Sequence, residues 1–280
     1  MSNIEVSCGG GGSTPVNLCI GRPDNGLEPL GRVVSDGLQN PWRETLRDRM
    51  RGQPVPMLVL PDSLWSAASL WAGTRAWLSA FRGAGLGAGD RLVCALPQGA
   101  AFVQVLLACL WEEIVFAPVS LPCDVHAMMC ALDARAAVAS SRTGSLPLAS
   151  VFIPDEAAQP PDERPALRIV TVPPTADVAL LLAVCDSDQR SRWVEVSNGQ
   201  LTSAMNARRA VTSLVGARVL SVQPWWQERG LIHGLLLPLL DADEIVIAAG
   251  DGRDLEAIAV AMREHLITHV DGDPCALPAC

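Results

Sequence analysis

From about residue 61 onward, short runs that are apolar throughout alternate with longer stretches whose apolar positions recur at helical spacing. The runs Arg91–Leu96, Ile114–Val119, Ala136–Ala139, Leu148–Ile153, Leu167–Val172, Val178–Val184, Arg218–Val222, Glu244–Ile247 and Ile267–Val270 read as strands. Helices are predicted over Ala100–Trp111, Val125–Ala134, Gln200–Ser213, Leu231–Leu240 and Leu255–Glu264. Ahead of the first strand, Ser63 is placed to cap a helix carrying Trp65, Leu70, Trp71, Trp77, Leu78 and Phe81, which ends in the glycines of 83–89. Strands apolar on both faces and separated by helices point to parallel sheets covered on both sides. The predicted class is therefore α/β. Tryptophans of the 64–81 stretch stand at helical spacing and are read as core.

Residues 1–40 are rich in Gly and Pro, with a run at Gly9–Gly12, and Pro154–Pro165 reads as a solvated loop. The implied organisation is an irregular N-terminal arm and lead-in (1–60), a first α/β subdomain (61–175) and a second (176–280).

With 280 residues, 49% of them hydrophobic and 18% charged, the chain can bury a large core, and disorder is excluded for most of it. A net charge of −9 argues against a nucleic-acid partner. All 21 basic residues are Arg, and the chain holds no Lys and no Tyr. Schiff-base chemistry, a lysine general base and a Walker-type lysine are thereby excluded. Nine scattered Cys without a CxxC pair read as small buried hydrophobes in a reducing, cytoplasmic compartment. The N-terminus lacks a basic and apolar leader, and no run approaches the ~20 apolar residues of a membrane helix.

Two constellations weaken on inspection. The glycines of GAGLGAGD (Gly83–Asp90) fall at every second position after a helix and before a strand, the reverse of a dinucleotide loop, so a helix end with a turn is predicted. His265 and His269, followed by Asp271, Asp273 and Cys275, suggest a metal cluster by spacing. The intervening Leu266 breaks HExxH, and a helix–strand–turn passage would scatter the side chains, so no metal site is assigned. No nucleophile elbow occurs, His126 has no legible partner, and no catalytic residue is assigned.

Three ordered stretches carry a family resemblance: GAGLGAGDRLVCALPQGAAFVQVLLACLWEEIVFAPVSLP (83–122), DVALLLAVCDSDQRSRWVEVSNGQL (177–201) and VLSVQPWWQERGLIHGLLLPLL (219–240), with a fainter one in HLITHVDGDPCAL (265–277). Together they resemble the acyl-adenylate-forming (AMP-binding) superfamily of acyl-CoA synthetases, fatty acyl-AMP ligases and peptide-synthetase adenylation domains. The wording VSNGQL and ERGLIHGLL leans to the fatty acyl-AMP ligase branch. It is also similar to the ligase-like domains of disco-interacting proteins, whose phosphate loops are eroded. The implied fold is the N-terminal subdomains of such an enzyme, truncated before the C-terminal lid with its catalytic lysine.

In that family a Ser/Thr/Gly loop wraps the ATP phosphates. Here the matching positions hold Cys185, Asp186, Ser187, Asp188, Gln189, Arg190, Ser191, Arg192 and Trp193. Asp186, Gln189 and Trp193 stand where the family has glycines, and Arg192 where it has lysine. Loss of glycine removes the backbone's freedom to approach phosphate. A carboxylate about 4 Å from a phosphate charge costs roughly 1 kcal/mol in water-like surroundings and about 4 kcal/mol at an effective dielectric of 20. Gln227 replaces the family His, and Trp225, Trp226, Gln227, Gly230 and His233 mark the implied substrate pocket, narrowed by two indoles.

The reading is thus a degenerate adenylate-forming chain without a cofactor, inactive in catalysis, that binds or scaffolds a protein partner such as a ligase, a carrier-protein enzyme or a second copy. The alternative is half of a split acyl-AMP or acyl-CoA ligase that uses ATP and Mg with a partner chain. As a remnant, the chain would leave a sheet edge and apolar faces uncovered near 243–280, favouring self-association.

Overall fold

The computed structural model describes residues 2–7, 15–20, 41–50, 56–143, 146–152, 169–170, 177–185, 191–248 and 254–271. In chain order it contains β1 (Ser2–Ser7), β2 (Pro15–Ile20), α1 (Pro41–Met50), β3 (Pro56–Leu60), β4 (Ser63–Ser66) and α2 (Ala67–Gly83). Next come β5 (Arg91–Ala95), α3 (Ala100–Glu112), β6 (Val115–Pro118), α4 (Val125–Leu132), β7 (Ala136–Thr143), β8 (Leu146–Phe152) and β9 (Ile169–Val170). The remainder is β10 (Val178–Cys185), β11 (Ser191–Ser197), α5 (Asn198–Val211), β12 (Arg218–Ser221), α6 (Glu228–Leu231), α7 (Leu237–Asp241), β13 (Glu244–Val246), α8 (Leu255–Glu264) and β14 (His269–Asp271). Helices α6 and α7 are joined without a break by a π turn, Ile232–Leu236.

The strands form two sheets, one of nine in the order β1-β2-β8-β7-β5-β6-β10-β11-β9 and one of five in the order β14-β12-β13-β3-β4. Alternation along each strand then assigns the layers. Leu92 and Cys94 of β5 join Phe116, Val138, Leu180 and Leu182 in a core that also holds α2, α3 and the α6–α7 helix, together with Leu58, Val219 and Ile245 of the second sheet. Val93, Ala95, Val115, Ala117 and Leu181 face the other way, onto Met129 and Leu132 of α4. On the outer side of the second sheet, Val59, Leu220 and Val246 pack on Ile258 and Ala261 of α8. Helices therefore lie between the two sheets and cover both outer faces. A helix trapped between two sheets has to be apolar all round, and α3 buries every residue from Phe102 to Leu110. Gln104 is fitted among them because Gly73 of α2 leaves the space: a Cβ there would sit 2.3 Å from its side chain.

The two halves are bolted by aromatic rings. Trp225, just after β12, is fully buried with its centroid 5.3 Å from Phe102 of α3, which lies 5.4 Å edge-on from Phe116 of β6. Its indole N–H donates to Ser221 Oγ at 2.9 Å, so the ring is buried without stranding a donor.

Several expectations change. The sheets are mixed: β7–β8, β10–β11, β1–β2 and β3–β4 are antiparallel, while β5, β6, β7 and β10 run parallel. Ser63 does not cap a helix. It pairs with Leu60 across a two-residue turn at Pro61–Asp62, and Ser66 caps α2 by accepting from the Ser69 N–H at 3.1 Å. Trp65 is accordingly a strand residue, whereas Trp77 is core. Within the stretch read as irregular, β1, β2, α1 and β3 form. The Gly9–Gly12 run and the Pro154–Pro165 loop lie outside the described residues. The glycine-rich turn is as expected: Gly85 and Gly89 take φ of 70° and 82°, and Asp90 accepts from the Gly87 N–H at 2.8 Å.

Replacing Trp225 with Ala should lower stability by about 3–5 kcal/mol, measured by urea denaturation. The same change at the partly exposed Trp226 should cost far less.

Candidate functional site

β12 lies between β13 and β14, all three parallel, and registers Val219 with His269, Leu220 with Val270 and Ser221 with Asp271. Their carboxyl ends open together, the usual place for a binding crevice in an α/β sheet. The α6–α7 helix comes down on these ends at its π turn, a local widening often found at functional sites. Gly234 makes the approach possible: a Cβ there would lie 2.1 Å from Asp271 Oδ2 and 2.5 Å from Ser221 Oγ. Gly230, one turn earlier, is equally tight, its Cβ position 2.2 Å from the Pro224 carbonyl oxygen.

Between this helix, α5 and β14 lies a cavity of about 280 Å³. Leu214, Val219, Leu237 and Val270 give it apolar walls, and Arg208, Arg209, Gln223, Arg229, His233, Asp241, His269 and Asp271 give it polar ones. Arg209 is paired with Asp241 at 2.8 Å. Asp271 is pushed from 3.8 up to about 7 by burial, against the pull of Arg229, Arg208 and a hydrogen bond from the Gln223 backbone N–H. His233 is pushed down, first by burial and then by Arg208, with Arg229 adding and Glu228 opposing. Both present an unpartnered buried atom, Asp271 Oδ2 and His233 Nδ1. A buried polar atom without a partner costs free energy, and Asp271 Oδ2 is closed off by the same approach of the helix at Gly234.

The implied phosphate-loop residues fall elsewhere. Val184 pairs with Arg192 and Cys185 with Ser191 at the end of the β10–β11 ladder, so these positions belong to a hairpin. Asp186, Ser187, Asp188 and Arg190 lie outside the described residues. Arg192 is exposed, and Trp193 is buried (3% exposed) beneath the first sheet with Leu181 and Val93.

Of the implied pocket residues, only His233 lines the cavity. Trp225 is a core ring, Gly230 is packed on backbone, Trp226 is partly exposed and Gln227 is exposed at the start of α6. His265 ends α8, and His269 lies in β14 with Nδ1 3.0 Å from Thr268 Oγ1. No group of three metal-ligating side chains converges among the described residues, and Asp273 and Cys275 lie outside them. Cys94, Cys109, Cys123 and Cys130 are free thiols, and burial pushes Cys94 and Cys109 far up.

No protein-family model matches the chain, and no curated protein sequence does. Solved structures do. VinN in complex with 3-methylaspartate superposes with a TM-score of 0.60 at 18% identity, over 82% of this chain and 65% of that one. A four-domain nonribosomal peptide synthetase, AB3403, bound to AMP and glycine, gives 0.63 at 11% identity, over 83% of this chain and 18% of that one. The o-succinylbenzoate CoA synthetase MenE of Bacillus subtilis, bound with a product analogue, gives 0.60 at 13% identity, over 81% and 48%. The chain has the fold of the N-terminal part of these adenylate-forming enzymes and spans less than two thirds of each chain. No described helix is long and apolar enough to cross a membrane.

Because the folded carboxyl of Asp271 holds its proton to about pH 7, the folded chain binds more protons than the unfolded one between roughly pH 4 and 7. Stability should fall as pH rises through that window and level off above it. Asp271→Asn should remove the decline, melting several degrees above the parent at pH 8 and close to it at pH 4, at about 2–4 °C per kcal/mol.

Proposed function

We propose that this chain is a non-catalytic form of the adenylate-forming fold that serves as a binding or scaffolding module. One observation carries the reading. Where the resemblance puts the last glycine of the phosphate loop, the chain has Trp193, whose indole is buried in the core under β10 and β11. A glycine there would let backbone amides close on a phosphate, whereas an anchored indole fixes the backbone in a strand. The absence of lysine and the replacement of two further glycines by Asp186 and Gln189 support the same conclusion.

The cavity favours a small polar ligand over the fatty acyl chain that the fatty acyl-AMP ligase resemblance implies. Arg208, Arg229, His233, His269 and Asp271 would be stranded against an alkyl tail, and burying charge against hydrocarbon is unfavourable. A protein partner is part of the proposal, since a module without chemistry acts through what it holds. β14, the end strand of its sheet among the described residues, and the exposed Val211, Val215 and Leu266 offer it surface.

Isothermal titration with Mg·ATP should give no binding up to the millimolar range, and Arg192→Ala should change nothing. Micromolar ATP affinity would contradict the reading. So would pyrophosphate release from fatty acids in the presence of a partner chain, lost on Arg192→Ala, which is the signature of a split ligase.

A further inference from the structure

The outer face of the five-stranded sheet is only partly covered. Among the described residues α8 is the helix packed on it, where Ile258 and Ala261 meet Val59 of β3, Leu220 of β12 and Val246 of β13. A helix is about 10–12 Å across, while five strands about 4.8 Å apart span roughly 19 Å, so one helix leaves part of the face free. β4 is in that part. Leu64 registers with Val59 and therefore stands on the face that α8 covers, yet it is 67% exposed.

Beside α8 lies an open groove of about 830 Å³, bounded by the helix on one side and by the β3–β4 turn on the other. Its floor is apolar, with Leu60, Leu64, Ile247 and Val260 all at least partly exposed. Its rim is acidic: Asp62, Asp254, Glu256 and Glu264 line it together with His265, and no arginine does among the described residues. Asp254 is engaged at the start of α8, accepting from the Glu256 and Ala257 N–H groups, and Asp62 accepts from the Ser63 hydroxyl at 3.1 Å. Glu256 and Glu264 have no ion-pair partner among the described residues.

We propose that this groove docks a basic amphipathic helix of a partner protein, laid beside α8 on the free part of the sheet. The room beside α8 is that of a second helix, whereas β4, with four residues, is a short edge for strand addition. Glu256 and Glu264 stand eight residues apart on α8, about 12 Å along its axis. Arginines or lysines about seven or eight positions apart on the partner would meet both, and apolar side chains between them would fall on Leu64 and Val260. The acidic rim, in a chain of net charge −9, repels an acidic segment and disfavours a second copy of the chain itself. The proposal rests on the binding-module reading in giving that module a partner, and its test contains no nucleotide, so either can fail without the other.

The test begins with a phage-displayed library of helical peptides of about 15–20 residues, long enough to hold a helix, selected on the whole chain. Enriched sequences should carry two basic residues about seven or eight positions apart with leucine, isoleucine or phenylalanine between them. A selected peptide, titrated by fluorescence anisotropy at low salt, should lose affinity about threefold to tenfold on Glu256→Arg or Glu264→Arg. Leu64→Ser should weaken it by roughly tenfold or more. All three positions are exposed, and circular dichroism checks the fold of each variant. Changing the matching basic residue of the peptide to glutamate should restore binding to the Glu264→Arg chain, a recovery that altered folding does not produce. The proposal is overturned by a selection that enriches no basic and apolar pattern, by affinity indifferent to the three substitutions, or by failure of the charge swap to restore binding. Self-association of the chain in sedimentation that Leu64→Ser abolishes would also overturn it, since a second copy would then be the occupant.

Discussion

Phe102 of α3 touches Phe116 of the nine-stranded sheet on one side and Trp225 of the five-stranded sheet's connecting loop on the other. The rest of the structure is arranged around that contact. It requires a helix with no polar face between two sheets, which α3 supplies, and it requires the chain after β12 to turn inward at Pro224 and Trp225 before the next helix begins. Arg49 of α1 adds a polar tie by donating to the carbonyls of Leu240 and Ala242 at the far end of that helix, the first at 2.8 Å. With both ends fixed, the helix is held against the strand ends.

That placement creates the cavity. A helix of ordinary side chains would be kept away from Ser221 and Asp271, but Gly230 and Gly234, one turn apart, remove the obstructing Cβ atoms. Asp271 is then enclosed and pushed toward its neutral form. Packing in the core and the electrostatics of the site are consequences of the same close approach. The other end of the fold shows the converse. Trp193 adds buried apolar area to the sheet face above α4, and on the proposed reading it does so at a position where nucleotide chemistry would need freedom.

Much of this was legible from apolar periodicity. From β5 to β8 the alternation of elements is as the sequence predicts, and α8 has the predicted bounds, because a strongly amphipathic helix capped by Asp254 leaves little choice. The β3–β4 hairpin was not legible: Ser63 and Ser66 are both good caps, and only pairing with β3 decides between them. β11 is hidden because the family resemblance puts its first residues, Ser191–Trp193, in a phosphate loop. Its alternation of buried Trp193 and Glu195 with more open Val194 and Val196 is visible in hindsight, although Glu195 is buried only because Arg91, a century of residues earlier, pairs with it at 3.0 Å. The site was the least legible part. Arg208, Arg229 and Asp271 come from three separate elements, and no spacing rule brings them together. The signals available were the glycines in the run GLIHGLL, which mark close approach without saying to what, and His233, His269 and Asp271, which the sequence singles out for a substrate pocket and a metal cluster and not for one shared cavity.

The central claim is that the place where related folds hold nucleotide is closed in this chain. It is tested most directly by soaking crystals with a non-hydrolysable acyl-adenylate mimic. The account predicts no nucleotide density beside Cys185 and Arg192, with the β10–β11 hairpin unmoved and Trp193 still buried. An adenosine group ordered against that hairpin, with its phosphate-mimicking group held by Arg192, would contradict it.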